Sequence, residues 1–193
     1  MAESAFSQIQ PLPINRARQL DPLSPIIGFA QGEVYSHDHQ FDKAIELYKK
    51  VIADNPTFGE AHDGLARAYW GEHKYPEAIQ EWKTAGQLAG DKNGVEYAAA
   101  LDAGFGSGGW PGALRHGIEV LLAQRKAKTG FVAPYSIAEL YADLGDKDHA
   151  FEWLNTAYRE HIPLSDLRTD FPFDSLRSDP RYAELVRKIG FPQ

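Results

Sequence analysis

The feature of this 193-residue sequence that most constrains its fold is an internal period of 34 residues. Four pairs of similar residues recur at that distance, namely Pro22 and Pro56, Tyr35 and Tyr69, Ala44 and Ala78, and Tyr48 and Trp82. A period of about 20 to 50 residues indicates a chain that stacks one small structural unit on the next. The stability of such a chain comes from contacts between neighbouring units rather than from one central core.

The apolar pattern inside each period predicts helices. Ala44, Ile45, Tyr48 and Val51 recur at the spacing of three and four residues that places side chains on one face of a helix. No stretch alternates strictly enough between apolar and polar residues to predict a strand. We therefore predict an all-α fold with helices at residues 26–36, 41–54, 58–70, 75–89, 95–103, 111–126, 134–144 and 147–160.

Turn-forming residues separate the predicted helices. Pro56 cannot continue a helix, and Thr57 followed by Glu60 has the pattern of a capping box that starts the next one. Glycine is suited to the left-handed backbone conformation that ends a helix. We expect three such glycines, at Gly71, Gly90 and Gly145.

The period, with an aromatic residue late in a first helix, Ala opening a second helix and Pro closing it, resembles the tetratricopeptide repeat. The resemblance implies an α–α superhelix, or solenoid, in which each repeat is one antiparallel helical hairpin. In the frame of that family, residues 25–58, 59–92, 93–130 and 131–164 form four hairpins. The third hairpin is degenerate, and we interpret the glycines between Gly104 and Gly109 as a flexible loop joining its two helices.

The two ends of the chain depart from the repeat. Ile14, Ala17 and Pro22 fit the late positions of a preceding repeat, so residues 1–24 are either the remnant of that repeat or an N-terminal cap. The remnant interpretation implies a fragment of a longer array. Residues 165–193 are predicted to form a C-terminal capping segment, because a terminal repeat exposes an apolar face that needs cover.

The capping segment is expected to end in a short helix. Asp179 is suited to cap its N-terminus, Pro180 to occupy its first position and Gly190 to follow it. Seven apolar side chains are suited to cover the last hairpin: Phe171, Phe173, Leu176, Tyr182, Leu185, Val186 and Ile189. The stretch from Tyr141 to Tyr182 is similar to the C-terminal tetratricopeptide arrays of bacterial winged-helix regulators, serine/threonine kinases and adenylate cyclases.

The family resemblance also implies a binding groove, because the first helix of each hairpin lines a concave surface in tetratricopeptide arrays. The positions that usually point into it are Phe29, Glu33, His37, Asp63, Arg67, Trp70, Tyr97, Leu101, Phe105, Tyr135 and Glu139. Aromatic residues and arginine are typical of binding hot spots. The alternative is that Trp70, Tyr97 and Phe105 pack between hairpins or beneath the C-terminal segment, since aromatic stripes are more often part of a core.

Charge narrows the range of partners. The chain has 20 Lys and Arg residues against 27 Asp and Glu residues, and a net charge of −7 argues against direct binding of nucleic acid. Family members that bind chaperone C-terminal carboxylates carry Lys and Asn at positions that Phe29 and Glu33 occupy here. A clamp for two carboxylates is therefore not expected.

The sequence contains no complete motif for catalysis, for cofactor binding or for metal binding. The glycines from Gly104 to Gly109 satisfy the dinucleotide pattern, but a helix and not a strand is predicted before them. His37, Asp38 and His39 lack the further ligands that a metal site requires, so we interpret them as a polar turn. The absence of cysteine removes thiol chemistry. We expect no enzyme and no cofactor.

These observations predict a non-enzymatic interaction module that binds a protein or peptide in its concave groove. The alternative is a structural or regulatory segment of a larger transcription regulator or kinase that mediates intramolecular contact or self-association. A small-molecule sensor that uses the third hairpin is a further possibility. The opening residues carry neither a signal peptide nor an apolar span. We therefore expect a bacterial, cytoplasmic scaffold with no membrane contact.

Overall fold

The structure of the chain, a computed structural model, describes residues 24–191. The chain divides into two units, with the boundary between Asp91 and Lys92. The described residues form helices, turns and loops without a strand, which confirms the all-α prediction. The predicted remnant or cap at residues 1–24, with Ile14, Ala17 and Pro22, lies outside the described residues except for Ser24.

The first unit consists of two helical hairpins. Its helices are α1 (Pro25–His37), α2 (Phe41–Asp54), α3 (Gly59–Gly71) and α4 (Tyr75–Ala89). Helix α1 packs on α2 and α3 packs on α4, while α3 also contacts α1 and α2. The predicted bounds agree with these helices to within one residue, because an amphipathic period and a local turn define each of them.

Two of the predicted turns in the first unit are wrong. The residue that precedes α3 is Phe58, and it has no side-chain capping bond, so Thr57 and Glu60 do not form the predicted capping box. Gly71 is the last residue of α3, and the left-handed residue beyond it is His73, with φ 58°. Gly71 serves a packing purpose instead, since a Cβ there would lie 2.6 Å from the Phe41 ring.

The second unit begins with α5 (Lys92–Ala127), which is broken at Gly108 and Gly109. It continues with α6 (Pro134–Asp143), α7 (Lys147–Arg159), 3₁₀ turns at Ser165–Arg168 and Phe171–Leu176, and α8 (Pro180–Ile189). Helix α6 packs on α7, and the second 3₁₀ turn packs on α6. The left-handed glycines predicted at Gly90 and Gly145 are confirmed, with φ 64° and 84°.

The flexible loop predicted at residues 104–109 is replaced by a sharp break. The helix continues through Ser107, whose hydroxyl donates to the Gly104 carbonyl at 3.1 Å, and only Gly108 and Gly109 leave the helical conformation. Gly104 and Gly112 pack backbone against backbone, and a Cβ on either would overlap the other. The glycines therefore permit a close approach within this hairpin and a two-residue reversal.

The short helix predicted near the end of the chain is present as α8, with the predicted residues at both of its ends. The Asp179 carboxylate accepts from the Arg181 backbone N–H at 3.0 Å, Pro180 opens α8, and Gly190 follows it with φ 77°. Four of its apolar side chains, Leu167, Phe173, Leu176 and Leu185, are buried against α6 and α7. The C-terminal segment is thus an integral part of the core of the second unit.

Candidate functional site

The first unit brings its two first helices together around one buried side chain. Tyr48 of α2 lies between α1 and α3, where Gly32 and Gly64 face its ring. A Cβ at Gly64 would lie 2.7 Å from the Tyr48 Cζ atom, and one at Gly32 would overlap the same edge of the ring. These two glycines therefore allow α1 and α3 to approach the ring and place the Tyr48 hydroxyl among the side chains of both helices.

Charged side chains of both helices surround that hydroxyl. Burial is the main cause of a raised pKa at Tyr48, the Glu33 and Asp63 carboxylates raise that pKa further, and Arg67 lowers it. Charges act on a neighbouring group mainly within about a Debye length, ~10 Å. The structure therefore brings three of the predicted groove residues, Glu33, Asp63 and Arg67, near one another. We name the surface formed by these three residues, together with His37 one turn beyond Glu33 on α1, the α1–α3 face.

Asp63 has the most unusual environment on the α1–α3 face. Its side chain is open to solvent, yet desolvation raises its pKa above the ordinary value. The Arg67 charge and a hydrogen bond from the Trp82 side chain oppose that shift without cancelling it. Asp63 is therefore an exposed carboxylate that has a hydrogen-bond donor, Trp82, and a cation, Arg67, of its own unit as neighbours.

Trp70 lies in the interior of the first unit and not on the α1–α3 face. The side chain is 2% exposed, and its ring meets the Trp82 ring edge to face with 5.7 Å between centroids. The Arg67 guanidinium lies 5.9 Å from the centroid of the Trp70 ring. Trp70 therefore belongs to the interior, as the packing alternative predicts, and its function here is to support Arg67.

Phe29 is also engaged within the first unit. Its half-buried ring lies 5.8 Å from the Tyr48 ring and 5.9 Å from the Phe58 ring, measured between centroids. Glu33 and His37, which follow it on α1 at intervals of one helical turn, are more accessible. The accessible part of the predicted groove in the first unit is consequently polar rather than aromatic.

In the third hairpin, the predicted groove residues contact the helix that follows them. A Cβ at Gly117 would lie 2.8 Å from Leu101 and 3.0 Å from Tyr97, so both side chains pack against that glycine. Leu101 is fully buried, and Phe105 is half-buried. These positions hold the two segments of α5 together, which corrects the prediction that Leu101 contacts a partner.

In the last hairpin, the C-terminal segment covers Tyr135, and the other predicted groove position, Glu139, is buried. The Tyr135 hydroxyl donates to the Asp170 carboxylate at 2.6 Å, and the Tyr135 ring meets the Phe173 ring at 5.2 Å. Glu139, one turn further along α6, is only 4% exposed. We name the surface formed by Tyr135, which contacts Asp170 and Phe173, and the buried Glu139 the covered face. A partner has no access to Glu139 in this arrangement.

Two residues that the sequence does not assign to the groove contribute to it. Tyr48 and Trp82 form one of the pairs that define the period, which explains their presence as repeat residues. The structure adds that the Tyr48 hydroxyl and the Trp82 side chain reach toward the charged residues of the α1–α3 face. Periodicity places a side chain on a helix face but gives no signal for the direction of its polar atom.

The polar turn predicted at His37, Asp38 and His39 begins at the last residue of α1. His39 has φ 57°, and its ring stacks on the Phe41 ring with 5.6 Å between centroids. Within residues 24–191, the structure brings together no group of three or more side chains of the types that hold a metal ion. Among the same residues, every helix is too short or too polar to cross a bilayer.

Comparison with known proteins supports the class that the hairpins define. Residues 12–55 match a family described as YpiA-like, tetratricopeptide repeats, and residues 36–102 match the tetratricopeptide repeat family. The described residues form an all-α repeat fold, and more narrowly residues 12–102 are similar to tetratricopeptide repeats. Tetratricopeptide repeats generally mediate protein–protein interactions.

One solved structure with a similar chain is the crystal structure of the APC/C hetero-tetramer Cut9–Hcn1. The two chains share 16% sequence identity with a TM-score of 0.39, and the similarity covers 93% of this chain and 45% of that one. The present chain thus spans less than half the length of that neighbour. No curated protein matches the sequence.

Proposed function

We propose that the chain is an interaction module that binds a peptide or protein segment on the α1–α3 face. The observation that carries the proposal is the contrast between this face and its counterpart in the last hairpin. Glu33 and Asp63 are exposed at predicted groove positions, whereas Glu139 at such a position is buried. The α1–α3 face is therefore the part of the predicted groove that offers accessible side chains.

The side chains on the α1–α3 face suit the binding of a partner better than they suit catalysis. Burial raises the pKa of Tyr48, so this hydroxyl keeps its proton near neutral pH and is a poor general base. Arg67 is fixed against the Trp70 ring, which suits a guanidinium that presents hydrogen-bond donors in one orientation. The alternative of a regulatory segment in a larger protein stays a prediction of the sequence.

The test is to select peptides on the full chain and to locate where they bind. Random ten-residue peptides displayed on phage would be panned against residues 1–193, and the selected peptides would be titrated into ¹⁵N-labelled protein. We expect the largest amide shift changes at Glu33, His37, Asp63 and Arg67. Failure to select any peptide, or shift changes confined to the far sides of α2 and α4, would overturn the proposal. Changes mapping to a concentration-dependent dimer contact would favour self-association instead.

A further inference from the structure

A buried histidine near the start of α3 connects three segments of the first unit. His62 is 8% exposed, and both of its ring nitrogens have a partner. Nδ1 lies 2.6 Å from a carboxylate oxygen of Glu81 on α4, and Nε2 lies 3.1 Å from the carbonyl oxygen of Pro56 in the turn between α2 and α3. One imidazole ring therefore connects α3 both to α4 and to the turn that joins the two hairpins.

The protonation state of this ring determines how many of its two contacts are hydrogen bonds. A carbonyl oxygen and an ionised carboxylate only accept hydrogen bonds. A protonated imidazole has an N–H on each nitrogen and donates to both partners, whereas a neutral imidazole has one N–H and donates to one of them. Both contacts of His62 are therefore satisfied together only while the pair of His62 and Glu81 holds one proton more than a neutral ring beside a carboxylate.

Loss of this proton affects the two contacts unequally. A hydrogen bond to an ionised acceptor is roughly twice as strong as one between neutral groups. The single N–H of the neutral ring therefore stays on Nδ1, where it donates to the Glu81 carboxylate, and Nε2 presents a lone pair to the Pro56 carbonyl oxygen. The contact between α3 and α4 is kept, and the contact between α3 and the turn becomes unfavourable.

Charged groups of α2, α3 and α4 lie around this pair. A hydrogen bond with Tyr69 is the main cause of a raised pKa at Lys49 of α2, and Glu81 and Glu77 of α4 raise that pKa further. Glu60, two residues before the histidine, is exposed, and residues two apart do not face each other on a helix. Among these groups, Glu81 is the one in hydrogen-bond contact with the imidazole.

The charges of the α1–α3 face act on a different group. Burial is the main cause of the raised pKa of Tyr48, on which Glu33 of α1 and Asp63 and Arg67 of α3 also act. Successive residues of a helix point about 100° apart, so His62 and Asp63 are directed to different neighbours. The hydrogen-bond partners of His62 lie on α4 and in the turn, and not on the α1–α3 face.

We propose that His62 is a proton-dependent link, which holds the turn at Pro56 against α3 while the ring is protonated and releases it when the ring loses its proton. Histidine is the side chain whose charge ordinarily changes between about pH 5 and 8, so the link responds to pH near neutrality. The same turn carries Phe58, whose ring lies 5.9 Å from the ring of Phe29 at a predicted groove position. This inference goes beyond the proposed function, because it describes a response of the first unit to pH that requires no partner.

The first experiment follows the ring and the turn in one NMR titration of the ¹⁵N-labelled full chain. The ring nitrogens of His62 and the backbone amides of Thr57 and Phe58 would be recorded from about pH 5 to pH 8. We expect both ring nitrogens to carry protons at the acidic end, Nδ1 to keep its proton at the alkaline end, and the two amides to shift with the same midpoint as the ring. A ring that does not titrate, a neutral ring with its proton on Nε2, or turn amides that do not follow the ring would overturn the inference.

A substitution at the acceptor separates the link from an ordinary histidine titration. Glu81→Gln replaces the carboxylate with a neutral amide, which can itself donate to Nδ1. The neutral ring then places its N–H on Nε2 and keeps the bond to Pro56, so the amides of Thr57 and Phe58 should no longer follow the ring. Glu77→Gln removes the same charge from an exposed position one turn earlier on α4 and should leave the behaviour of the full chain unchanged. Equal responses of the turn in the two variants would contradict the link.

Hydrogen exchange gives the size of the effect. The Phe58 amide donates to the Asn55 carbonyl at 3.1 Å within the turn, and its protection factor should fall by about fivefold when the ring loses its proton, the usual weight of one neutral hydrogen bond. In His62→Gln, which has no group to titrate at this position, the protection factor should not change over the same pH range. If either substitution unfolds the first unit, the position of the ring proton and the shared midpoint, both measured on the full chain, still decide the question.

Discussion

The α1–α3 face and the covered face occupy equivalent positions in the repeat, yet they have opposite environments. Glu33 and Asp63 are exposed in the first unit, whereas Glu139 is 4% exposed in the second. At Tyr135 the difference arises because the segment that follows the last hairpin packs back on it. After α7, the C-terminal segment folds back so that Phe173 and Asp170 contact Tyr135.

This comparison teaches that the position of a residue in a repeat does not by itself make it available to a partner. Phe173, Leu167 and Leu176 are fully buried, so the C-terminal segment belongs to the core and is not a loosely held lid. Polar contacts fix it as well, since Lys147 donates to the Ser175 carbonyl at 2.8 Å and Tyr182 donates to the Leu167 carbonyl at 2.9 Å. In the last hairpin, the packed C-terminal segment adds to the stability of the second unit and covers surface that a partner could otherwise contact.

The largest loss of stability is expected from a substitution in the C-terminal segment, where it covers the last hairpin. Phe173→Ala should lower the free energy of unfolding of the second unit by about 3–5 kcal/mol, because it leaves a cavity beside Tyr135. Urea denaturation, followed through NMR signals of the second unit, measures this change. The control Phe131→Ala removes a ring that is 78% exposed and should cost less than about 0.5 kcal/mol. A small loss in the free energy of unfolding of Phe173→Ala would indicate instead that the C-terminal segment is a loosely held lid.

The next effect concerns the close approach that forms the α1–α3 face. Gly64→Ala should destabilise the first unit by about 1–3 kcal/mol, because the added methyl group overlaps the Tyr48 ring. The same substitution at Gly106 of the second unit meets no atom within 4 Å and should stabilise its helix by up to about 1 kcal/mol. Thermal unfolding of both variants gives the comparison. Equal effects would show that Gly64 does not determine how closely α1 and α3 pack.

An effect of similar size is expected from the hydrogen bond that joins the covered face to the C-terminal segment. Tyr135→Phe should lower the free energy of unfolding by about 1.5–3 kcal/mol, since it removes a donor from the buried Asp170 carboxylate. Tyr158→Phe is the matched control, because that hydroxyl is exposed and its contact with the Lys188 carbonyl is long, at 3.4 Å. Indistinguishable stabilities for the two variants would show that the Tyr135 hydrogen bond does not hold the C-terminal segment in place.

The smallest effect is a pH dependence at the start of α7. A hydrogen bond to Asp146 raises the pKa of His149 above its ordinary 6.5, and the same bond lowers the pKa of Asp146 below its ordinary 3.8. The contribution of protonated His149 to stability is therefore fully present below pH 6.5 and is lost as pH rises through the folded pKa. The contribution of Asp146 is present above pH 3.8 and is lost as pH falls through its lowered pKa.

Titration of the His149 ring signals by NMR measures this effect. The full chain should show a midpoint above 6.5, and Asp146→Asn should bring it back toward the ordinary value. His116, an exposed histidine of α5, serves as a reference that Asp146→Asn should leave unchanged. A midpoint for His149 that does not respond to Asp146→Asn would contradict the pairing.

Local chemistry in the sequence predicts much of the fold. The bounds of α2 and α4 follow from apolar periodicity and neighbouring turn residues, and α8 follows from Asp179, Pro180 and Gly190. The predictions fail where tertiary contacts determine the backbone conformation and packing of a residue. Gly71 faces the Phe41 ring instead of ending its helix in the left-handed conformation, and Gly104 packs on Gly112 instead of starting a loop.

The candidate site shows the same contrast between features that local sequence predicts and features that tertiary contacts determine. The repeat frame predicts the positions of Glu33, Asp63 and Arg67 on their helices, because those positions depend only on the register of each helix. It does not predict that Trp70 is buried or that Glu139 is covered, because both outcomes depend on residues far away in the sequence. Exposure at a repeat position depends on how the rest of the chain packs, and periodicity carries no information about that.

The most direct test of the central claim compares solvent access at equivalent positions of the two faces. The sequence contains no cysteine, so Glu33→Cys and Glu139→Cys each introduce a single thiol. The account predicts rapid reaction of the thiol at position 33 with a maleimide under native conditions. The thiol at position 139 should react at least about a hundredfold more slowly, because this position is buried and a reagent reaches it only after local opening of the second unit. Equal rates at the two positions, in proteins that remain folded, would contradict the account.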